Sequence, residues 1–360
     1  MSNHSKISRR EILRLAALGA FSAFITACER AGVPVTGNNT PAAAPTQDVI
    51  TQNAPTPDLQ SLAGSNSVPI TSAENFYITS SGPTPKVPAN WKLTITGLVD
   101  NPLTLTLDDI KAMSSVTEMR TLSCISNPVG GNLISNAVWK GVQFKELLTQ
   151  AGVKNNAHFI KFESFDGYST SIPLELGIDD HSLLVYDMNG APLPSDHGAP
   201  LRCLWPGHYG MKQPKWLQTV TLVEQYSAGY WERQGWSSEA KVLPFSRIDS
   251  PQDLAAMSGD TFTLSGIAFS NESSLSEMEI SWDDTNQWQT TELTRGPSPL
   301  VWTVWTWTGK SLPAGRHVIY ARATDGNGQM QVRAATFSLF GSTFPNGTLD
   351  MQSIVLDFKG

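Results

Sequence analysis

With 360 residues, 40% of them hydrophobic and 16% charged, the chain has enough apolar mass for a real core and is neither a disordered polymer nor a membrane bundle. Its 25 Lys and Arg against 32 Asp and Glu leave a net charge of −7, the wrong sign for non-specific nucleic-acid binding. Three cysteines are too few for a disulfide scaffold, so each needs its own account.

Residues 1–27 read as an export signal. A basic segment with paired arginines, Arg9 and Arg10, precedes an apolar run from Leu15 to Ala27 that is too short to remain as a membrane anchor. The pattern resembles a twin-arginine signal, the type read by the exporter of folded proteins. Ile25-Thr26-Ala27-Cys28 looks like a lipobox, which makes Cys28 a lipidation site; a plain signal peptide with an incidental cysteine is the alternative. Removing residues 1–27 leaves 21 Lys and Arg against 31 Asp and Glu, so the exported body carries −10. Residues 28–72 are rich in Pro, Ala and Thr and poor in large apolar side chains, which predicts a flexible tether between a membrane anchor and the folded body.

Order is expected from residue 73. Trp91 to Val99 alternates with period two and meets the turn Asp100-Asn101-Pro102. Leu107 to Met113 and Phe144 to Ala151 predict short helices, the second stopped by Gly152. His158–Phe165, Ser182–Met188, Leu201–Trp205 and Trp216–Val223 predict strands, with Asn189-Gly190 as a tight turn. Residues 73–250 are therefore assigned to one mixed α+β domain. From residue 251 to 342, strand-like runs recur at short spacing over Thr261–Ala268, Leu275–Trp282, Leu300–Trp307, His317–Thr324 and Met330–Leu339. That rhythm predicts an immunoglobulin-like β-sandwich, followed by a tail over 343–360. Within it Trp305 and Trp307 share a strand face and Trp302 points to the other, so one face is core and the second is either packing or a contact surface.

Two stretches carry chemistry. Cys124 ends a strand and is followed by Asn127-Pro128 and the paired Gly130-Gly131, where backbone approaches a bulky ligand closely. The bland alternative is a buried small hydrophobe, the stronger reading for Cys203 in its apolar strand; a Cys124–Cys203 disulfide is a third option. The second stretch sets His197, Arg202, Lys212 and Lys215 along turn-rich, glycine-rich backbone in a chain otherwise short of base. Such a concentration of cations beside free N–H groups suits a buried phosphate.

Together these stretches resemble the sulfite oxidase family of molybdopterin-dependent oxidoreductases. Leu122-Ser123-Cys124-Ile125-Ser126-Asn127 is similar to the family's metal-binding cysteine loop. The run from Asp196 to Leu217 is similar to its pterin-binding stretch, and Ser246-Arg247-Ile248-Asp249-Ser250-Pro251 resembles a further signature. The last third resembles the family's immunoglobulin-like dimerisation domain. The resemblance implies a sulfite-oxidase-type α+β domain holding Mo-molybdopterin, with Cys124 as the protein ligand of molybdenum. It also implies His197, Arg202, Lys212 and Lys215 on the pterin and its phosphate, Asp166 on the pterin amino groups, and Tyr226 as the active-site phenol with Tyr230 as competitor.

The departures concern substrate. Sulfite oxidases carry arginines after the asparagine of the cysteine loop, where this chain has Pro128 and Val129, and Arg-Asn-His where it has Thr79, Ser80 and Ser81. Losing bidentate guanidinium groups from two walls argues against sulfite or nitrate as the substrate. His208 is a replacement polar group or a structural histidine. The resulting expectation is an exported, lipid-anchored homodimeric enzyme that transfers oxygen atoms to or from a small molecule. With no Cys-x-x-Cys-His or Rossmann motif in the chain, its electrons pass to a separate redox protein. The alternatives are a sulfoxide reductase, acting for instance on oxidised methionine, and a non-catalytic surface-binding lipoprotein.

Overall fold

The computed structural model describes residues 50–52, 68–271, 273–333 and 343–359. The expected signal peptide, Cys28, most of the tether and the end of the Met330–Leu339 strand lie outside the described residues. Among those described, no helix is long and apolar enough to cross a membrane.

In chain order the first part contains β1 (Ile50–Gln52), β2 (Ile78–Ser80), β3 (Leu93–Gly97), β4 (Leu103–Leu105), α1 (Leu107–Lys111), β5 (Ser115–Ser123), β6 (Ile134–Gln143), α2 (Phe144–Ala151), β7 (Phe159–Ser164) and β8 (Ser169–Pro173). It continues through α3 (Leu174–Gly177), β9 (Leu183–Met188), β10 (Ala191–Pro192), β11 (Arg202–Leu204) and β12 (Leu217–Val223). Two sheets result, β4-β3-β12-β7-β8 and β10-β9-β6-β5 with β11 beside β9. The balance differs from the α+β mixture expected: sheet dominates, and the α-helices have only five, eight and four residues.

Local chemistry explains the elements. In β3 the apolar Leu93 and Ile95 are fully buried while Thr94 and Thr96 lie half-exposed, as the period-two pattern requires. Gly97 ends the strand at φ +89°, where an added Cβ would strike the Leu222 carbonyl at 2.3 Å. The Thr106 hydroxyl accepts from the Asp109 N–H while the Asp109 carboxylate accepts from the Thr106 N–H, a reciprocal box that opens α1. Gly152, left-handed at φ +66°, stops α2 as expected. The two sheets share a core that includes Leu93, Phe144, Phe162, Cys203 and Trp205.

The second part holds β13 (Phe245–Ser250), β14 (Ala256–Met257), β15 (Thr261–Phe269), β16 (Leu275–Trp282), β17 (Asp284–Thr290), β18 (Glu292–Thr294), β19 (Thr303–Lys310), β20 (Gly315–Asp325) and β21 (Gln352–Phe358). Its sheets, β13-β15-β19-β18 and β14-β21-β20-β16-β17, enclose one core around Leu264, Met278, Trp305, Ile319 and Leu356. Two boundaries shift from those read off the sequence. β13, before residue 250, is an edge strand of the second part, and the expected tail supplies β21, antiparallel to β20. Trp305 and Trp307 pack on this core, whereas Trp302 joins a separate cluster with Ile125, Ile134, Tyr209, Ile267 and Val304. The second face is thus a contact surface against the first part of the chain.

Candidate active site

β5 and β6 form a long hairpin paired from Ser115↔Val142 to Ser123↔Ile134, and the segment joining them carries Cys124. The connection is stitched from within. The Cys124 N–H donates to the Leu133 carbonyl at 2.9 Å, the Asn127 N–H to the Cys124 carbonyl at 3.0 Å, and the Leu133 N–H to Asn127 Oδ1 at 2.9 Å. Gly131 is required here, because a Cβ would come within 2.4 Å of Asn127 Oδ1. The thiol is buried, with Sγ 3.1 Å from Ser126 Oγ. Cys203 lies in the core of the two sheets, and both cysteines are free, so the disulfide alternative does not hold.

Tyr77 packs in the same buried cluster as the thiol. Burial pushes Tyr77, Tyr168 and Tyr209 above their ordinary acidity range, and the nearby Cys124 raises each further. Tyr77 is also held down by the Arg202 guanidinium, so one buried hydroxyl senses both the thiol and the cation cluster. Sequence reasoning missed these phenols as site residues. Their signal was weak: Tyr77 and Tyr168 sit in Phe76-Tyr77 and Asp166-Gly167-Tyr168, positions that core aromatics share, and Tyr209 lies within the Asp196–Leu217 run without being picked out of it.

Of the four residues read as a cation cluster, the structure brings His197, Arg202 and Lys215 together, and it leaves His197 uncharged. Arg202 is 5% exposed, stacks over Trp139 at 5.2 Å and donates from one terminal nitrogen to the His197 carbonyl at 3.1 Å. Burial lowers its pKa to about 10, and its Nε has no hydrogen-bond partner among the described residues. Lys215 Nζ donates to Ser80 Oγ at 2.6 Å and to the Asp196 carbonyl at 3.0 Å; burial, and then Arg202, bring its pKa down to about 7. Asp166 faces Lys215 and accepts from the Tyr168 N–H, its own pKa raised by burial. His197 is neutral instead: Nε2 donates to the Ala73 carbonyl at 2.6 Å, and burial lowers its pKa to about 4.

Lys212 stands apart from this group. Its ammonium pairs with Glu232 Oε1 at 2.5 Å, both side chains being 2% exposed, and donates to the Tyr226 hydroxyl at 3.4 Å. Glu232 was not singled out from the sequence, since a lone acid in a turn reads as surface. Tyr226 is partly exposed on a cavity of about 400 Å³ lined also by Phe159, Ile172, Pro173, Leu176 and His208. Tyr230 packs edge-to-face against Trp231 at 4.9 Å, and its ring lies 6.2 Å from that of Tyr168. Tyr226 itself packs edge-on against Phe159, with ring centroids 5.7 Å apart.

The donor set fits a cofactor that brings its own metal ligands and a phosphate. Among the described residues no three His, Cys, Asp or Glu side chains converge as a metal cage, so a soft metal at Cys124 needs donors from outside the protein. The unpartnered Arg202 Nε, the unpartnered buried Thr79 hydroxyl and the crowded Lys215 are groups that a buried anion would satisfy.

Residues 81–231, which carry Cys124 and the cation cluster, match the oxidoreductase molybdopterin binding domain. An uncharacterized oxidoreductase of Bacillus subtilis (strain 168), YuiH, is 35% identical over 146 residues, covering 41% of this chain and 72% of its own. Sulfite oxidase of Arabidopsis thaliana is 28% identical over 279 residues, covering 63% and 71% respectively. In fold, the chain resembles the sulfane dehydrogenase SoxCD from Paracoccus pantotrophus, with a TM-score of 0.71 at 19% identity over 94% of this chain and 98% of that one. The thiol loop and the anion-ready cations fall inside the matched domain, so the chain belongs to the sulfite oxidase family of molybdopterin-binding oxidoreductases and is a molybdenum-dependent oxidoreductase whose cofactor is Mo-molybdopterin.

Proposed function

We propose that the chain is an exported oxygen-atom-transfer enzyme in which Cys124 ligates the molybdenum and Arg202 and Lys215 hold the cofactor's phosphate. The observation that carries this reading is one buried cluster holding Tyr77, Cys124 and Trp139, with the Arg202 guanidinium over the Trp139 ring at 5.2 Å, which links the thiol to the cation group. When bound, the cofactor supplies the two-electron chemistry, and the protein supplies orientation and electrostatics. Arg202 and Lys215 suit charge-assisted hydrogen bonds to phosphate, and Asp166 beside Lys215 suits the pterin amino groups. His197, neutral and tied to Ala73, orients this wall and lends no charge.

The cavity beside Tyr226 supports a substrate with apolar bulk over a small inorganic dianion. Of the two lysines on it, the buried Lys212 is neutralised by Glu232, and the exposed Lys241 shares the lining with the acidic Glu239. His208 has its pKa lowered by burial and donates from Nδ1 to the Pro206 carbonyl at 2.6 Å, so it lines the cavity as a neutral ring. Apolar walls from Phe159, Ile172, Pro173 and Leu176 suit an organic sulfur compound, in either its reduced or its sulfoxide form. The sulfoxide-reductase reading therefore stands beside the oxidase reading. Reduced dye consumed with a sulfoxide favours the first; ferricyanide reduced with a thioether favours the second.

Export and anchoring rest on the paired arginines and Cys28, and a cofactor assembled in the cytosol is consistent with a route for folded cargo. The two-sheet second part is read as the immunoglobulin-like dimerisation domain, and electrons leave to a separate redox protein. The test is metal and pterin analysis of protein from a molybdenum-competent host. Stoichiometric molybdenum in the parent protein and its loss in Cys124→Ser support the site. A parent protein lacking both metal and pterin would return the chain to the non-catalytic binding class.

A further inference from the structure

We propose that Arg247, a residue of the second part of the chain, is a positioning residue that fixes the Cys124 loop in its metal-ready conformation. The inference rests on the reading of Cys124 as the metal ligand and adds what holds that sulfur in place.

Arg247 lies in β13 and is 2% exposed. Nε donates to Asp249 Oδ1 at 2.5 Å, which leaves NH1 aimed out of the strand toward the first part of the chain. There NH1 donates to the Gly131 carbonyl at 3.0 Å and to Asn132 Oδ1 at 2.8 Å, at the far end of the connection that begins with Cys124. A planar fork satisfying a carboxylate on one side and two loop acceptors on the other is a task that lysine cannot reproduce.

Neighbouring contacts grip the same connection. Gln352, which accepts from the Ile248 N–H at 2.6 Å, packs so closely on Gly130 that a Cβ there would lie 2.6 Å from its amide nitrogen. Ile125 is buried in the cluster containing Ile267, Trp302 and Val304. Before the cysteine, the Thr121 N–H donates to the Leu300 carbonyl at 2.9 Å and the Trp302 N–H to Thr121 Oγ1 at 2.9 Å. The second part of the chain therefore holds the backbone on both sides of Cys124, with Arg247 as a charged anchor to the loop. Rigid support of this kind sets whether a ligand atom is presented at the metal or wanders from it.

The test uses the full chain in Arg247→Lys, Asn132→Ala and Asn132→Asp. Asn132→Ala removes one acceptor and leaves the buried Arg247–Asp249 pair intact, so it decides the matter if Arg247→Lys fails to fold. Alkylation of each cysteine in the apoprotein is followed by peptide-resolved mass spectrometry, with fully buried Cys203 as the internal reference for global opening. Cys124 alkylation is expected to rise about tenfold in Asn132→Ala, the size set by losing one hydrogen bond to a charged group. Cys203 is expected to stay unreactive, and Asn132→Asp to restore slow alkylation. In metal-loaded protein, kcat and molybdenum retention fall with KM unchanged. Unchanged Cys124 reactivity in folded variants, or Cys124 and Cys203 rising together, would overturn the proposal. Equal molybdenum in parent and Cys124→Ser protein would instead overturn the ligand reading, leaving the apoprotein measurement to judge Arg247.

Discussion

Lys212 and Glu232 form an ion pair buried to 2% exposure on each side, and Tyr226 is tied to it through the Lys212 ammonium. The carboxylate also accepts from the Thr170 hydroxyl at 2.6 Å. Gly229 packs directly on it, since an added Cβ would lie 2.6 Å from Glu232 Oε2. Glu232→Gln strands the Lys212 charge in the interior, and breaking such a pair costs about 3–5 kcal/mol. Chemical denaturation of the parent and variant measures this. Burial first and Glu232 second raise the Tyr226 pKa to about 12, so the variant's Tyr226 should titrate at lower pH.

In the apoprotein His197 and Lys215 each contribute stability that grows with pH in its own window, while the raised Tyr77, Tyr168 and Tyr209 act the opposite way from about pH 10 upward. His197 ionises near pH 4 when folded against 6.5 when unfolded, so the unfolded chain binds the extra proton between these values and stability climbs across them. Lys215 repeats this between about 7 and 10.5. Lys215→Met should abolish the upper window only. Added phosphate should raise the melting temperature at pH 6, where Lys215 is charged, more than at pH 9. Thermal scans across pH read both effects.

Cys124→Ser should reduce turnover to background, because a hydroxyl is a poor donor to a soft metal site. Turnover at the parent level in a metal-loaded variant would remove Cys124 from its assigned role.

Trp302 is 1% exposed in the cluster that joins the two parts of the chain. Trp302→Ala should cost about 3–5 kcal/mol in denaturant unfolding. Trp307→Ala should cost less, since that side chain is only partly buried.

Light scattering on the full chain should report a dimer. A monomer would remove the dimerisation reading of the second part. Truncation at residue 251 is not a clean test, because it strips the cover from Ile125 and leaves β13 without its partner β15.

Local rules made much of the chain readable. The Phe144–Ala151 helix ends where Gly152 takes a left-handed conformation, and the Asn189-Gly190 turn, at φ 52° and 78°, follows from residues that tolerate that region. The β5–β6 hairpin was not legible because β6 is buried on both faces over most of its length, which erases the period-two alternation that marks a strand. β21 carries the period-two signal in Ile354, Leu356 and Phe358, but its antiparallel pairing with β20 spans the whole segment from Asp325 to Gln352, and no local pattern reports such pairing.

By itself the amino-acid order determined which residues are chemically able to act: one thiol in a glycine-rich loop and a short run of cations in an acidic chain. Tertiary structure alone decided their charge and company. Folding places His197 against the Ala73 carbonyl and makes it neutral, pairs Lys212 with Glu232 twenty residues on, and brings Arg247 to the Cys124 loop from more than a hundred residues away. Burial and long-range contact set these properties, and both depend on what the rest of the chain packs against each group rather than on its neighbours in sequence.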